Sequence, residues 1–369
     1  MTLTDRTLFK LLALGLGHEV KFDIPLEDVD WPAVVRLAMT NGLDAIAFDG
    51  LSALYQQRPD LTDVLDATLG NLKFDWLGYA MQAEQDYEAY RGKLEGLAAF
   101  FGTEGFRMLV MKGYGLSMDY PVPCHRPTGD IDLYLYGRGA QADERLKEKL
   151  GITVNQEGDK HSRFSIRGLS VENHASFLNV REYPSLRALE RFLEQEALKA
   201  GEVRVGKATI CVPTVTMNAM FLPCHMAAHF VFEGMPLKQL VDWAVFLDRH
   251  GAEVDWALLR SRMEEVGRFE FLRALNGIMV SHLGVPADCL PDWGRDPALE
   301  ERIWQDTLQP RKDLAARSLV ERFLDYFRMR WKFRLVHKES FVLYFGRHCW
   351  EFVRGLFLPR RQSVWSDTE

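Results

Sequence analysis

Cysteine is scarce and scattered. The 369 residues include five, Cys124, Cys211, Cys224, Cys289 and Cys349, and no two of them form a CxxC pair. That spacing excludes a disulfide framework and a zinc knuckle, and it suits reduced thiols in a cytoplasm, where we expect the protein to reside. Positive charge is also in short supply. Lys and Arg number 45 against 52 Asp and Glu, for a net charge of −7 and a pI near 5.9. A dedicated nucleic-acid coat or anchor is usually basic, so that class falls away, although a locally basic face does not. No GxxxxGK[ST] loop, GxGxxG turn or Ser-His-Asp elbow stands where it would be needed. P-loop, dinucleotide and serine-hydrolase chemistries therefore lack support.

Long apolar runs are missing too. The stretch 208–232 has no Asp, Glu, Lys or Arg, but Pro213, Thr214, Thr216, Asn218, Pro223, His225 and His229 interrupt it. A membrane span needs about 20 apolar residues, so the expectation is a strand end followed by a buried helix, with no transmembrane segment. The opening MTLTDRTLFKLLALGLGHEV carries charges early and no convincing cleavage site; it reads as an amphipathic helix, not a signal peptide.

What is present is an ordinary folded composition, 47% hydrophobic and 26% charged. Residues 1–105 read as helical. Val34, Val35, Leu37, Ala38 and Leu43 fall at helical spacing with Asn41-Gly42 as a stop, and 71–101 forms a long amphipathic helix. The texture changes at Phe106. RMLVMK (107–112) suits a buried strand, DIDLYLY (130–136) alternates with a period of two, and ERLKEKL (144–150) is helical. ITVNQE, SRFSIRG and LSVENHA, separated by GDK and RG turns, read as an antiparallel meander. From 183 to 361 the pattern returns to helix, with Gly201, Gly251, Gly267 and Gly284 at cap positions, and 362–369 reads as a tail. The expected fold is α+β: a small mixed-sheet core over 106–182, flanked by helical regions at 1–105 and 183–361.

Chemistry concentrates in that core. On a strand, Asp130 and Asp132 project to one face while Ile131 points into the core. Two like charges so close need a cation between them, and hard oxygen ligands on a rigid strand suit Mg²⁺ with phosphate oxygens. Lys112-Gly113 precedes the pair after a strand; the glycine permits close backbone approach to phosphate. Arg126 lies four residues before Asp130, placed to clamp a phosphate or brace the carboxylates. Glu172 shares a face with His174 and would add a third carboxylate of the kind used in two-metal phosphoryl displacement.

The stretch MKGYGLSMDYPVPCHRPTGDIDLYL, with KHSRFSIRGLSVENHASF after it, resembles the uncharacterised nucleotidyltransferase family of the polymerase-β-like superfamily. The helical HMAAH…LVDWAVFL segment looks like a third, weaker block, and the similarity covers roughly 30–260. The resemblance implies Asp130, Asp132 and Glu172 as catalytic, metal-holding acids, with Mg²⁺ or Mn²⁺ as cofactor and a nucleoside triphosphate as substrate. It implies Lys112, Gly113, Tyr114, Ser117 and Arg126 at the nucleotide, and His161 and His174 as accessory residues. The superfamily's glycine-serine pair is here Gly113-Tyr114, with Ser117 one turn later as the stand-in hydroxyl.

The expected activity is transfer of a nucleoside monophosphate to an acceptor that could be a small molecule, a peptide or protein, or RNA. Two alternatives remain: a degenerate nucleotide-binding module without turnover, and a phosphotransferase on the same fold. His225 and His229 lie four apart, but Met226 stands where a zinc protease needs glutamate; they read as packing histidines. The stretch 322–361 interleaves aromatics with Arg322, Arg328, Arg330, Lys332, Arg334, Lys338, Arg347 and Arg354. It reads as an amphipathic helix pair with aromatics inward, and as the surface for any partner contact.

Overall fold

A computed structural model describes residues 1–158, 160–309, 324 and 327–357. The first third is helical: α1 (Leu3–Gly15), α2 (Trp31–Thr40), α3 (Asp44–Gln57), α4 (Thr62–Leu69) and α5 (Leu72–Thr103). Local signals set these boundaries. Thr2 and Asp5 form a reciprocal capping box on α1, and the Asp30 carboxylate caps α2. Helices α1 and α3 approach until glycine is required at the crossing. A Cβ on Gly50 would lie 1.8 Å from the Leu11 carbonyl oxygen, and one on Gly15 would lie 2.1 Å from that of Ile46.

The sheet follows, with β1 (Leu109–Val110), α6 (Tyr114–Ser117), β2 (Ile131–Tyr134), α7 (Gly139–Leu150), β3 (Val154–Glu157), β4 (His161–Ile166) and β5 (Leu169–His174). The meander forms as its turns predict; Arg167 and Gly168, both at positive φ, make the two-residue turn between β4 and β5. After α8 (Arg187–Ala197) come β6 (Gly201–Val205) and β7 (Ala208–Val212). The strand order is β3-β4-β5-β2-β1-β7-β6, with β2 parallel to β5, β1 parallel to β7 and the other pairs antiparallel.

The β6–β7 hairpin departs from the helical reading of the chain after 183; only the end of β7 is legible in sequence. Its charged residues Glu202 and Arg204 face away from the core, while Val205 and Ile210 pack inward, so the short alternation hides beside α8. Glu95 of α5 accepts from the Lys207 amide at 2.8 Å and secures the turn.

The remainder is helical: α9 (Val215–Phe232), α10 (Leu237–His250), α11 (Trp256–Val266), α12 (Phe269–Leu283), α13 (Pro297–Leu308), α14 (Arg330–Val336) and α15 (Phe341–Phe357). Gly267 and Gly284 close α11 and α12 in left-handed conformations. Gly251 instead continues as a helical turn and Gly201 opens a strand. Among the described helices α9 alone is long and apolar enough to cross a membrane, and 61% of it is buried inside the protein. The last two helices bury Phe333 and Val336 but leave Val342, Leu343 and Trp350 exposed, so the inward packing of aromatics is partial. Arg322 and the tail from 362 onward lie outside the described residues.

Strand alternation divides the sheet's two faces. Val110, Ile131, Leu133 and Val171 pack with Leu94, Leu97 and Phe101 of α5 and Leu146 of α7. Leu109, Met111, Tyr134 and Cys211 face the larger core that contains α8, α9 and α10. Asp132 and Glu172, being even-numbered neighbours of Ile131 and Val171, fall on this second face. Substituting Gly50→Ala should lower unfolding free energy by about 1–3 kcal/mol, because a methyl group cannot enter the α1–α3 crossing without moving backbone. Denaturant unfolding checks this; an unchanged midpoint would mean that α1 is not seated against α3 in solution.

Candidate metal centre

The register of two parallel strands brings the acids together. Asp132 of β2 pairs with Glu172 of β5, which in turn pairs with Arg163 of β4. Asp130 lies one step before β2, so it returns to the same face as Asp132. Oxygen atoms of Asp130, Asp132 and Glu172 lie within 4.8 Å of one another, as do ligand atoms of His161, Glu172 and His174. The structure thus brings all three expected acids and both accessory histidines into one cluster.

Asp132 is the anchor. It is 4% exposed; Lys112 Nζ lies 2.8 Å from Oδ2 and His174 Nε2 lies 2.9 Å from Oδ1. Burial alone would raise this carboxyl, but the Lys112 ammonium and His174 overcome it and hold the acid well below the usual range. Glu172 is also held down, to about 2, because His174 and Arg163 outweigh its burial. Arg163 Nη2 lies 2.5 Å from Glu172, and His174 Nε2 lies 3.3 Å from it. Asp130 behaves oppositely. Solvent reaches it, yet the enclosing protein and the adjacent Asp132 charge push its carboxyl up. An unneutralised acid beside two ionised ones, all offering hard oxygen donors, is a donor set that fits Mg²⁺ or Mn²⁺.

Lys112 does not reach outward alone. Its ammonium also donates to His225 Nε2 at 2.9 Å, and His225 stands 3.2 Å from His229. Burial and the Lys112 charge push the His225 imidazole well below its ordinary range, so it stays neutral and accepts. The histidines of α9 therefore support the site's lysine, a role that spacing four apart on a helix does not reveal.

The residues expected at the nucleotide divide. Gly113 adopts φ +57°, and a Cβ there would meet the Tyr90 hydroxyl at 2.5 Å, so glycine is required. Tyr114 stacks on Tyr87 with ring centroids 6.3 Å apart. Ser117 is buried, bonded to the Tyr87 hydroxyl at 2.8 Å and donating to the Tyr114 carbonyl at 2.7 Å. Its hydroxyl is committed to packing the turn. Arg126 is not in the acid cluster: Nε and Nη2 make a forked pair with Asp242 of α10 at 2.8 and 2.9 Å, and Tyr120 donates to the same carboxylate at 2.7 Å. Arg126 therefore ties the loop before Asp130 to α10 instead of presenting its guanidinium to a ligand.

Three partners escape sequence reasoning. Asp242 had only the LVDW block as a signal. Lys238 brings its ammonium to 3.4 Å from where a Gly129 Cβ would stand, beside Asp130. Lys160, at the β3–β4 turn, has its ammonium pushed down by burial and by Lys112, while the Asp132 and Glu172 charges act on it in the opposite sense. Lys160 opens the KHSRFSIRG block without standing out in it, and Lys238 is a helical lysine with no signal of its own.

A family model described as uncharacterised nucleotidyltransferase matches residues 27–284, well over half of the chain. No curated protein matches it.

Asp242→Ala would leave the Arg126 guanidinium buried without a counter-ion. It should cost about 3–5 kcal/mol, whereas the paired replacement Arg126→Met with Asp242→Leu should cost far less. Equilibrium unfolding of the three proteins decides; equal losses in the single and double variants would show that the pair is not the loop's anchor.

Proposed function

The chain belongs to the uncharacterised nucleotidyltransferase family, and from that membership we propose that it moves a nucleoside monophosphate from a nucleoside triphosphate to an acceptor. The observation that carries this reading is the convergence of Asp130, Asp132 and Glu172 on one sheet face, ringed by lysines. Asp130, Asp132 and Glu172 would hold Mg²⁺ or Mn²⁺. The ion would supply polarisation of the phosphoryl group and acidification of the attacking hydroxyl.

The chain's own groups do the rest. Lys112, fixed between Asp132 and His225, offers a positioned positive charge for the phosphates. Lys238 and Lys160 flank the acids from α10 and the β3–β4 turn and favour an anionic substrate there. His174 bridges Asp132 and Glu172 and fixes their orientation, and Arg163 holds Glu172 ionised. The mixed sheet with acids on adjacent strands supports a polymerase-β-like core over 106–182, extended by β6 and β7. The acceptor is a small molecule, a peptide or protein, or RNA, and the five free cysteines fit a reducing cytoplasm.

One observation favours a second reading. Ser117 and Arg126, expected at the triphosphate, are both committed to structural bonds, as in a module that binds nucleotide without turning it over. A transfer assay with α- and γ-labelled ATP, CTP, GTP and UTP, divalent ion and host extract as acceptor pool separates the cases. Nucleotidyl transfer requires α-label moved by the wild type and lost in Asp132→Asn. Label moved only from the γ position would reassign the chain as a phosphotransferase. Nucleotide binding with no movement of label would leave the module.

A further inference from the structure

A second cluster of ligating groups lies away from the carboxylate cluster, on the loop that leads to it. Glu84 of α5, Cys124 and His125 place ligand atoms within 4.8 Å of one another. His125 is buried, with Nδ1 2.6 Å from the Asp49 carboxylate of α3 and Nε2 3.1 Å from Glu84 Oε1. We propose that Glu84, Cys124 and His125 form a zinc site, with Asp49 as the carboxylate that orients the imidazole.

The donor set selects the metal. A thiol, an imidazole and a carboxylate suit Zn²⁺, while Mg²⁺ prefers oxygen alone. A tetrahedral Zn²⁺ holds its donors about 3.3–3.8 Å apart; here the His125 Nε2 and Glu84 Oε1 atoms stand 3.1 Å apart and all three donors fall within 4.8 Å of one another. The Asp49–His125 bond is the second requirement of such centres: a ligating histidine donates its other ring N–H to a carboxylate, leaving Nε2 for the metal. Asp49 sits on a fixed element, next to Gly50 at the tight α1–α3 crossing.

Charge points the same way. The carboxylates of Asp49 and Glu84 both lie within hydrogen-bonding distance of one imidazole, an excess of negative charge beside Cys124 that a divalent cation would balance. Glu84 is half-exposed, with 51% of its side chain open, so an ion can reach the trio from solvent and the fourth position is open to water. Binding would displace two protons to solvent, the Cys124 thiol proton and the Nε2 proton that His125 directs at Glu84, and Glu84 would turn from accepting that proton to ligating the ion. Bound there, the ion would join α5 to the turn at 123–125, immediately before Arg126 and the strand that carries the acids.

The test uses the whole purified chain and Co²⁺ as a spectroscopic stand-in for Zn²⁺. One equivalent of Co²⁺ should give a thiolate-to-cobalt charge-transfer band that Zn²⁺ abolishes by competition. The band should vanish in Cys124→Ser, weaken in Glu84→Gln and persist in Asp132→Asn, which separates this site from the carboxylate cluster. Asp49→Asn should weaken Zn²⁺ binding by about 10- to 100-fold. Zinc should also raise the melting temperature of Asp132→Asn by more than that of the double variant Asp132→Asn with Cys124→Ser. A wild-type protein that gives no band, or a band that survives in Cys124→Ser, overturns the proposal and leaves His125 as an ion-paired histidine only.

Discussion

A carboxylate buried in the middle of a sheet needs a permanent positive neighbour, and much of this protein can be understood from how Asp132 obtains one. Removing an ion from water into an interior costs several kcal/mol, so an unpaired Asp132 would either protonate or unfold its surroundings. Lys112, at the end of the adjacent strand, meets it at 2.8 Å, and His174 meets its other oxygen at 2.9 Å. Lys112 in turn needs an acceptor on its far side, which is why a neutral histidine of α9 lies against the sheet. One buried charge thus accounts for a polar contact, Lys112 to His225, within an otherwise apolar packing of α9 on the sheet.

The same logic explains the second tether. The loop between α6 and β2 must deliver Asp130 to the face already occupied by Asp132, against their repulsion. Arg126 fixes that loop through a forked bond to Asp242, and His125, one residue earlier, is gripped by acids of α3 and α5. The N-terminal helices, α10 and the sheet therefore meet at this loop. The site draws on elements on both sides of the chain's central sheet, as a match running from 27 to 284 accords with.

Alternation made Asp130, Asp132 and Glu172 legible in sequence, because a period of two says which side chains share a face. The meander and its turns were legible for the same reason. Sequence does not encode which strand lies beside which: the parallel pairing of β2 with β5 and the insertion of β1 and β7 depend on distant contacts. Arg126 shows the limit clearly. Its position four residues before Asp130 suggests a phosphate clamp, but a carboxylate more than a hundred residues away on α10 claims it. Ser117 misleads in the same manner, since its hydroxyl looks available until Tyr87 is folded against it. The pairing of Lys112 with His225 had no local signal, because helix spacing reports only which residues share a helical face.

The central claim is that Asp130, Asp132 and Glu172 act together as a divalent-ion site that engages nucleotide. Electron paramagnetic resonance of added Mn²⁺, with and without ATP, tests it most directly. The account predicts that the wild type removes Mn²⁺ from the free pool, that ATP strengthens this binding, and that Asp130→Asn, Asp132→Asn and Glu172→Gln each weaken it. Mn²⁺ that stays free in the presence of the wild type and ATP, or binds equally to all four proteins, would contradict it.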